Sequence, residues 1–207
     1  MLPQHCTLAL AGGTQVVVGQ EGSVPSTNGY AGVYANDHRY LDALATTITD
    51  GRTTPEWDVL GRHADGSTVT TLLTSSADGP GRGAVRAWTL RRRVRVDPGQ
   101  VTFTLSLTNN TNDERAADIT TTVATDFGHV FEVESFFSPR DAPARPVTAE
   151  ASGGNLQFTG TVADGSTQTV TVESADGDAD VTTDEPSGAV TWHRTVAPGD
   201  SVDVELT

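Results

Sequence analysis

The sequence predicts an all-β protein, an antiparallel β-sandwich of two large sheets with little or no helix. Three observations carry that prediction. Apolar and polar residues alternate within short runs, Gly- and Pro-bearing turn signals separate the runs at intervals of roughly 8–15 residues, and no stretch keeps a 3.6-residue apolar period. With 207 residues the chain is long enough to bury a real core. It holds no sequence repeat and no interdomain linker, so residues 1–207 read as a single domain.

The first strand candidates are Cys6–Leu10 and Thr14–Val18, around Gly12-Gly13. Residues 19–32, rich in Gly, Ser and Asn, read as a long loop that delivers the chain to Val33–Leu41 and a strand through Ile48. Asp50-Gly51 and Asp65-Gly66 are turn signals, the second lying between strands at Trp57–Leu60 and Val69–Leu73. The clearest hairpin joins Trp88–Val96 to Val101–Leu107 through Asp97-Pro98-Gly99-Gln100. Pro fixes φ and Gly accepts φ > 0, which suits a type II turn. After a polar turn at Asn109–Asp113, Ile119, Thr121, Val123, Phe127, Phe131 and Val133 share odd parity while Asp126, Glu132 and Glu134 are even. That alternation predicts a central strand running through Glu134 with one acidic face. Residues 138–146, with three prolines, form a loop, and the last third alternates regularly around Leu156–Val162, Val170–Val172, Val190–Val196 and Val202–Leu206.

Net charge is −14 with a pI near 4.5, and every one of the 13 basic residues is Arg. The carboxylates are spread along the chain, a pattern that fits a surface adapted to high salt and a halophilic source better than one acidic partner site. Nucleic acid is disfavoured, because phosphate repulsion needs a basic patch to overcome it. Cys6 is the only cysteine, so no internal disulfide forms and an oxidising compartment is not indicated. No apolar run approaches the roughly 20 residues that span a bilayer, and the N-terminus lacks a signal-peptide pattern. The expectation is a soluble, cytoplasmic chain without a membrane partner.

The candidate chemistry is sparse. Glu132 and Glu134 would lie roughly 6–7 Å apart on one strand face, within the range of a glycosidase carboxylate pair. Any alternating acidic strand has that property, so a salt-bridged or solvated face is the expectation. Arg91, Arg93 and Arg95 form a stripe explained by pairing with acidic neighbours across the sheet, while Arg92 falls on the apolar face and needs a partner or an edge. The run Asp176–Ser187 resembles a calcium loop but has Val181 where the EF-hand needs Gly and Ser187 where it needs Glu; it reads as a solvated acidic turn. The five histidines, His5, His38, His63, His129 and His193, show no ligand spacing. No catalytic residue, metal site or cofactor is expected.

Two motifs carry a resemblance. Gly32-Val33-Tyr34-Ala35-Asn36-Asp37-His38-Arg39-Tyr40-Leu41-Asp42 is similar to the pattern Gly-Leu-Phe-x-x-Asp-Thr-Arg-Phe-Leu-Ser in the N-terminal domain of a group of glycogen debranching enzymes, of the amylo-α-1,6-glucosidase type. Thr125-Asp126-Phe127-Gly128-His129-Val130-Phe131-Glu132-Val133-Glu134 resembles that domain's Ala-Asp-Phe-Ala-Asp-x-Phe-Glu-Val-Arg, with His129 replacing the second Asp and Glu134 the Arg. The strand, Asp-Gly turn and strand over Leu156–Val172 extend the likeness. The resemblance implies a β-sandwich preceding a catalytic (α/α)-barrel, with α-glucan as the substrate of the complete enzyme. The family's catalytic carboxylates belong to the barrel, which is absent here. Asp37, Arg39, Asp126 and Glu132 carry over as motif positions, suited to a hydrogen-bonded network within the sandwich or at an interdomain contact, or to direct glucan contact. Two other readings stand beside this: a stand-alone carbohydrate-binding module, with Trp57, Tyr34 and Tyr40 as stacking candidates while Trp88 and Trp192 are core, and a structural or oligomerising β domain. If salt adaptation sets the charge, dialysis to low salt abolishes the near-UV circular dichroism of the folded chain; an unchanged spectrum contradicts it.

Overall fold

A computed structural model gives the fold and describes all residues except 1–5, 26–28, 52, 77–85, 134–144 and 163. Glu134, His5, Ala163 and the loop expected over 138–146, up to residue 144, therefore lie outside the described residues. Among the described residues there are four antiparallel ladders. The first orders β1 (Thr7–Ala11), β2 (Thr14–Val18), β3 (Gly32–Ala35) and β4 (His38–Leu41). A second contains β5 (Ala43–Thr49), and a third begins with β6 (Trp57–Ala64), β7 (Thr68–Ser75), β8 (Trp88–Asp97) and β9 (Gln100–Asn109). β10 (Arg115–Ala124) leads to a single helical turn, α1 (Val130–Val133), then β11 (Val147–Ser152), β12 (Asn155–Thr161), β13 (Thr167–Glu173), β14 (Asp180–Asp184), β15 (Ser187–Val196) and β16 (Ser201–Leu206). The second ladder runs β14-β15-β10-β5, the third β16-β9-β8-β7-β6, and the fourth β11-β12-β13.

Hydrogen bonds merge these four ladders into two layers. β13 meets β16 through a bridge at Ser174 and Leu206 and through reciprocal bonds between Glu173 and Thr207 of 2.8 and 2.9 Å. That joins β11-β12-β13 to the five-stranded ladder. In the other layer, β5 pairs with β10 from Thr49–Asp118 to Ala43–Ala124, and a further bridge joins His38 to His129 in the same register. Chain 38–49 thus runs beside chain 118–129 without a slip, through both halves of the layer.

The layers face each other across one contiguous core that includes Trp88, Trp192, Ile119, Leu90, Leu107, Leu156 and Phe158. Leu156 of β12 reaches β15: a Cβ added at Gly188 would sit 2.8 Å from a Leu156 methyl. Trp192 Nε1 donates to Ser174 Oγ at 3.0 Å, a polar contact between the layers. At the other end β1 packs over β7 and β8, and Gly99 N, in the β8–β9 turn, donates to Thr14 Oγ1 at 2.8 Å. Gly99 has φ 77°, the value its turn position requires.

The structure corrects four expectations. The strand expected through Glu134 ends at Ala124: Phe127 adopts φ 45°, which a β ladder cannot accommodate, and residues 130–133 coil into α1. Phe131, expected to face inward, is 77 % exposed. The arginine stripe does not face acids across the sheet; Arg93 lies between Thr70 and Thr104, and Arg91 between Leu72 and Ser106. Finally, the expected acidic turn contains β14, and Arg194 clamps Asp178 bidentately at 2.8 and 3.0 Å. Arg92 is 4 % exposed in a central strand, and carbonyls serve it: Nη1 donates to Glu21 O at 2.9 Å and Nη2 to Thr46 O at 3.2 Å.

Phe127 is fully buried and reaches the opposite layer, where a Cβ at Gly160 would lie 2.6 Å from its ring. Gly160→Ala should destabilise the chain by about 1–3 kcal/mol, the usual cost of overpacking a core. Gly177→Ala, with nothing within 4 Å of the added carbon, is the control in urea titration, and equal stabilities would refute the contact.

Candidate functional site

The motif residues converge where the two halves of one layer meet. β3 and β4 form a two-residue hairpin with Asn36 at φ 48° and Asp37 at φ 63°. Both central residues of a type I′ turn need φ > 0, which Asn and Asp tolerate best. This Asn-Asp turn was the signal by which sequence could have divided Val33–Leu41 into a hairpin. The tip docks onto the chain after β10: Val130 N donates to Asp37 O at 2.8 Å and Arg39 N to Gly128 O at 2.7 Å. Asp37 thus contributes its backbone at the tip, and its side chain is exposed.

Arg39 binds Asp126 with two donors, Nε to Oδ1 at 3.1 Å and Nη2 to Oδ2. Its Nη1 donates to Gly29 O at 2.9 Å. Burial opposes the Arg39 charge, yet the hydrogen bond and attraction from Asp126 override it and raise the guanidinium above its ordinary value. Gly32 makes the arrangement sterically open, since a Cβ there would come within 2.6 Å of Arg39 Cδ and 2.9 Å of Leu41 O. Asp126 also accepts Gly128 N at 3.0 Å, a local turn bond that helps tip the chain out of the strand before Phe127 enters the core. Tyr40 packs edge-on against Phe127, ring centroids 5.9 Å apart, and its hydroxyl donates to Gln168 on the other layer.

Glu132 belongs to a second cluster. His129 is the N-cap of α1: its backbone N–H donates to Glu132 Oε2 at 2.8 Å, and its Nδ1 accepts Phe131 N at 3.3 Å. This reciprocal pattern is a capping box with imidazole in the place of Ser or Thr. Arg145 Nη2 donates to both Glu132 oxygens at 2.6 Å, and that bond holds the carboxyl below the ordinary range. The His38 and His129 rings meet edge-to-face at 5.1 Å, and His129 lies against Phe131 at 5.2 Å. Arg39 and Asp126 therefore form one ion-pair cluster and Glu132 with Arg145 a second, while Asp37 joins them through its backbone alone, so the motif positions share a backbone joint and not one acidic face.

Sequence reasoning missed Asp42, which closes the joint between β4 and β5. Its N–H donates to Ala124 O at 3.1 Å, while its Oδ1 is buried without a hydrogen-bond partner. Burial raises its carboxyl above the ordinary range, the Asp126 charge adds to that, and Arg39 opposes it. The related pattern has Ser at this position, the one hint available beforehand. The stacking candidates are also occupied: Tyr34 donates to Tyr30 O at 2.9 Å, and Trp57 packs partly against the core. Tyr30 and Tyr34 line a cleft of about 240 Å³ with Leu8, Val17, Asp37 and Val130. No group of three or more metal-ligating side chains occurs among the described residues.

Because the folded state raises the Asp42 pKa, it binds the proton more tightly than the unfolded chain. Its ionisation costs stability as pH rises above the unfolded carboxylate value, near 3.9. Asp42→Asn should therefore gain stability at pH 7 relative to the parent and lose that gain near pH 3; melting curves giving the same difference at both values would refute the linkage.

No curated protein matches the chain in sequence. A putative kojibiose phosphorylase from the human microbiome shares the fold at TM-score 0.60 and 8 % identity, over 85 % of this chain and 26 % of that one. The chain thus spans about a quarter of that protein's length. A putative aldose 1-epimerase from Escherichia coli K12 matches at TM-score 0.53 and 10 % identity, over 97 % of each chain. At these identities the two show a common fold. The family model for the N-terminal domain of (some) glycogen debranching enzymes matches residues 10–207, and the chain belongs to that family.

Proposed function

We propose that this chain is the non-catalytic N-terminal β-sandwich of a glycogen-debranching-type glycoside hydrolase, bracing a catalytic (α/α)-barrel and supporting α-glucan recognition by the complete, cytoplasmic enzyme. The carrying observation is the saturation of three motif side chains, Arg39, Asp126 and Glu132. Arg39 spends its donors on Asp126 and backbone carbonyls, and Glu132 spends its oxygens on the His129 cap and Arg145. Groups so engaged hold architecture; a group that binds substrate keeps a free donor or acceptor aimed at solvent. No described helix is long and apolar enough to cross a membrane.

A second reading rests on one feature. Phe131 is 77 % exposed and follows Val130, which lines the Tyr30–Tyr34 cleft, and an exposed ring is what a pyranose face stacks on. On this reading the domain itself takes α-glucan as a carbohydrate-binding module.

The purified chain should release no glucose from glycogen or pullulan; measurable release overturns the non-catalytic assignment. Asp126→Ala should lower the melting temperature by several degrees, the size expected from a loss of about 2 kcal/mol, while leaving glycogen retention in affinity electrophoresis as in the parent. Unchanged melting with lost retention would reverse the architectural reading, and loss of retention in Phe131→Ala alone would establish the second one.

A further inference from the structure

β16 covers β9 only from Thr108 back to Phe103. Among the described residues, the start of β9, Gln100 to Thr102, has β8 on one side and no strand on the other. β13 is likewise paired along its length with β12 alone among the described residues, and its other side meets β16 only from its last residue onward, at Glu173, Ser174 and Ala175. Between these two flanks lies a cleft of about 510 Å³. Val101 and Phe103 of β9 form one wall and Val170 and Val172 of β13 the other; the floor is Val33, Tyr40 and Leu41 of the opposite layer.

The cleft has the geometry of one absent strand. β9 and β13 both run antiparallel to β16, so a strand in line with β16 pairs correctly with each. Beside β16 the two flanks stand two strand spacings apart, roughly 9.6 Å, which admits one extended chain. Glu173 and Thr207 exchange both backbone bonds. Alternation along an antiparallel strand then turns the N–H and C=O of Thr171 and Thr169 toward the cleft. The side-chain phase is set too. Val204 and Leu206 face inward, so the first and third residues running on from Thr207 would enter the core, the first between Val101 and Val172.

We infer that this cleft is a strand-acceptor slot, filled in the complete protein by about four residues of extended polypeptide running straight on from β16. The occupant is polypeptide in line with β16, apolar and β-branched at its first and third residues and polar at its second and fourth. Two findings favour it over a second copy or a small molecule. The bonded rail at Glu173–Thr207 already directs the backbone into the slot. The family is by description an N-terminal domain, so its members have further chain to supply. The inference rests on family membership and is independent of glucan binding.

The test extends the 207-residue chain by Val-Thr-Val-Thr, in phase with the core, or by Thr-Val-Thr-Val, out of phase at equal composition. The in-phase extension should slow amide exchange at Thr169 and Thr171 by ~10-fold or more, as a buried ladder does relative to an open edge, and raise the melting temperature while the protein stays monomeric by light scattering. The out-of-phase extension should do neither. Thr171→Pro, which removes an N–H facing the slot, should abolish the in-phase gain in melting temperature. Equal exchange and melting for the two phases overturns the proposal, as does a dimer formed only by the in-phase protein, which would put the extension in a neighbour's slot.

Discussion

The structure depends on a backbone break held in one place by a buried ring and a bidentate ion pair. Chain 38–49 and chain 118–129 form a single antiparallel ribbon whose register is kept on both sides of the break. At its middle the strand cannot continue, because Phe127 sits at φ 45°, a conformation that costs a non-glycine residue of order 1–3 kcal/mol. Burying the whole Phe127 ring against Tyr40 and the β12 backbone offsets that cost. Arg39 and Asp126 then hold the ribbon together beside the break. A layer that would otherwise be two short sheets becomes one wide sheet bent around the core.

The charges follow from that architecture. In a chain with net charge −14, five of the arginines sit where carboxylates or carbonyls crowd. Arg39 serves the joint, Arg145 the cap, Arg92 two backbone carbonyls and the Glu21 carboxylate, Arg115 Asp50 at 2.9 Å, and Arg194 the acidic stretch before β14. Guanidinium suits each place, since its fork meets two acceptors at once and stays charged when buried. Asp42 fits less well, a carboxylate with a buried and unbonded oxygen beside a pair that is already satisfied. Its burial and the neighbouring Asp126 charge both oppose its ionisation.

Much of the fold was legible because period-2 alternation and Gly/Pro turns are local signals. Thr14–Val18 was placed to the residue, the Trp88–Leu107 hairpin turned at Pro98-Gly99, and Trp88 and Trp192 proved to be core. The joint was misread for a physical reason. Alternation through Phe127 and Phe131 is compatible with a strand, and nothing in the residue order reveals that Phe127 is buried by a glycine on a strand far along the chain. The same long-range dependence hid Asp42, whose environment is made by Arg39 and Asp126. It also hid the partners of the arginine stripe, which depend on which strand lies alongside. The motif positions were found through resemblance, and their separation into the Arg39–Asp126 pair, the Glu132–Arg145 pair and the Asp37 backbone contact depends on the fold.

The central claim is that the Arg39–Asp126 pair keeps the two halves of one layer unfolding together. Native-state hydrogen exchange on Asp126→Ala tests it most directly, by comparing the β4 amides, His38 to Leu41, with those of Ile119 to Val123 in β10. The account predicts that β4 loses protection ahead of β10 in the variant while the two exchange as one unit in the parent. Retained, equal protection of β4 and β10 in the variant would contradict it.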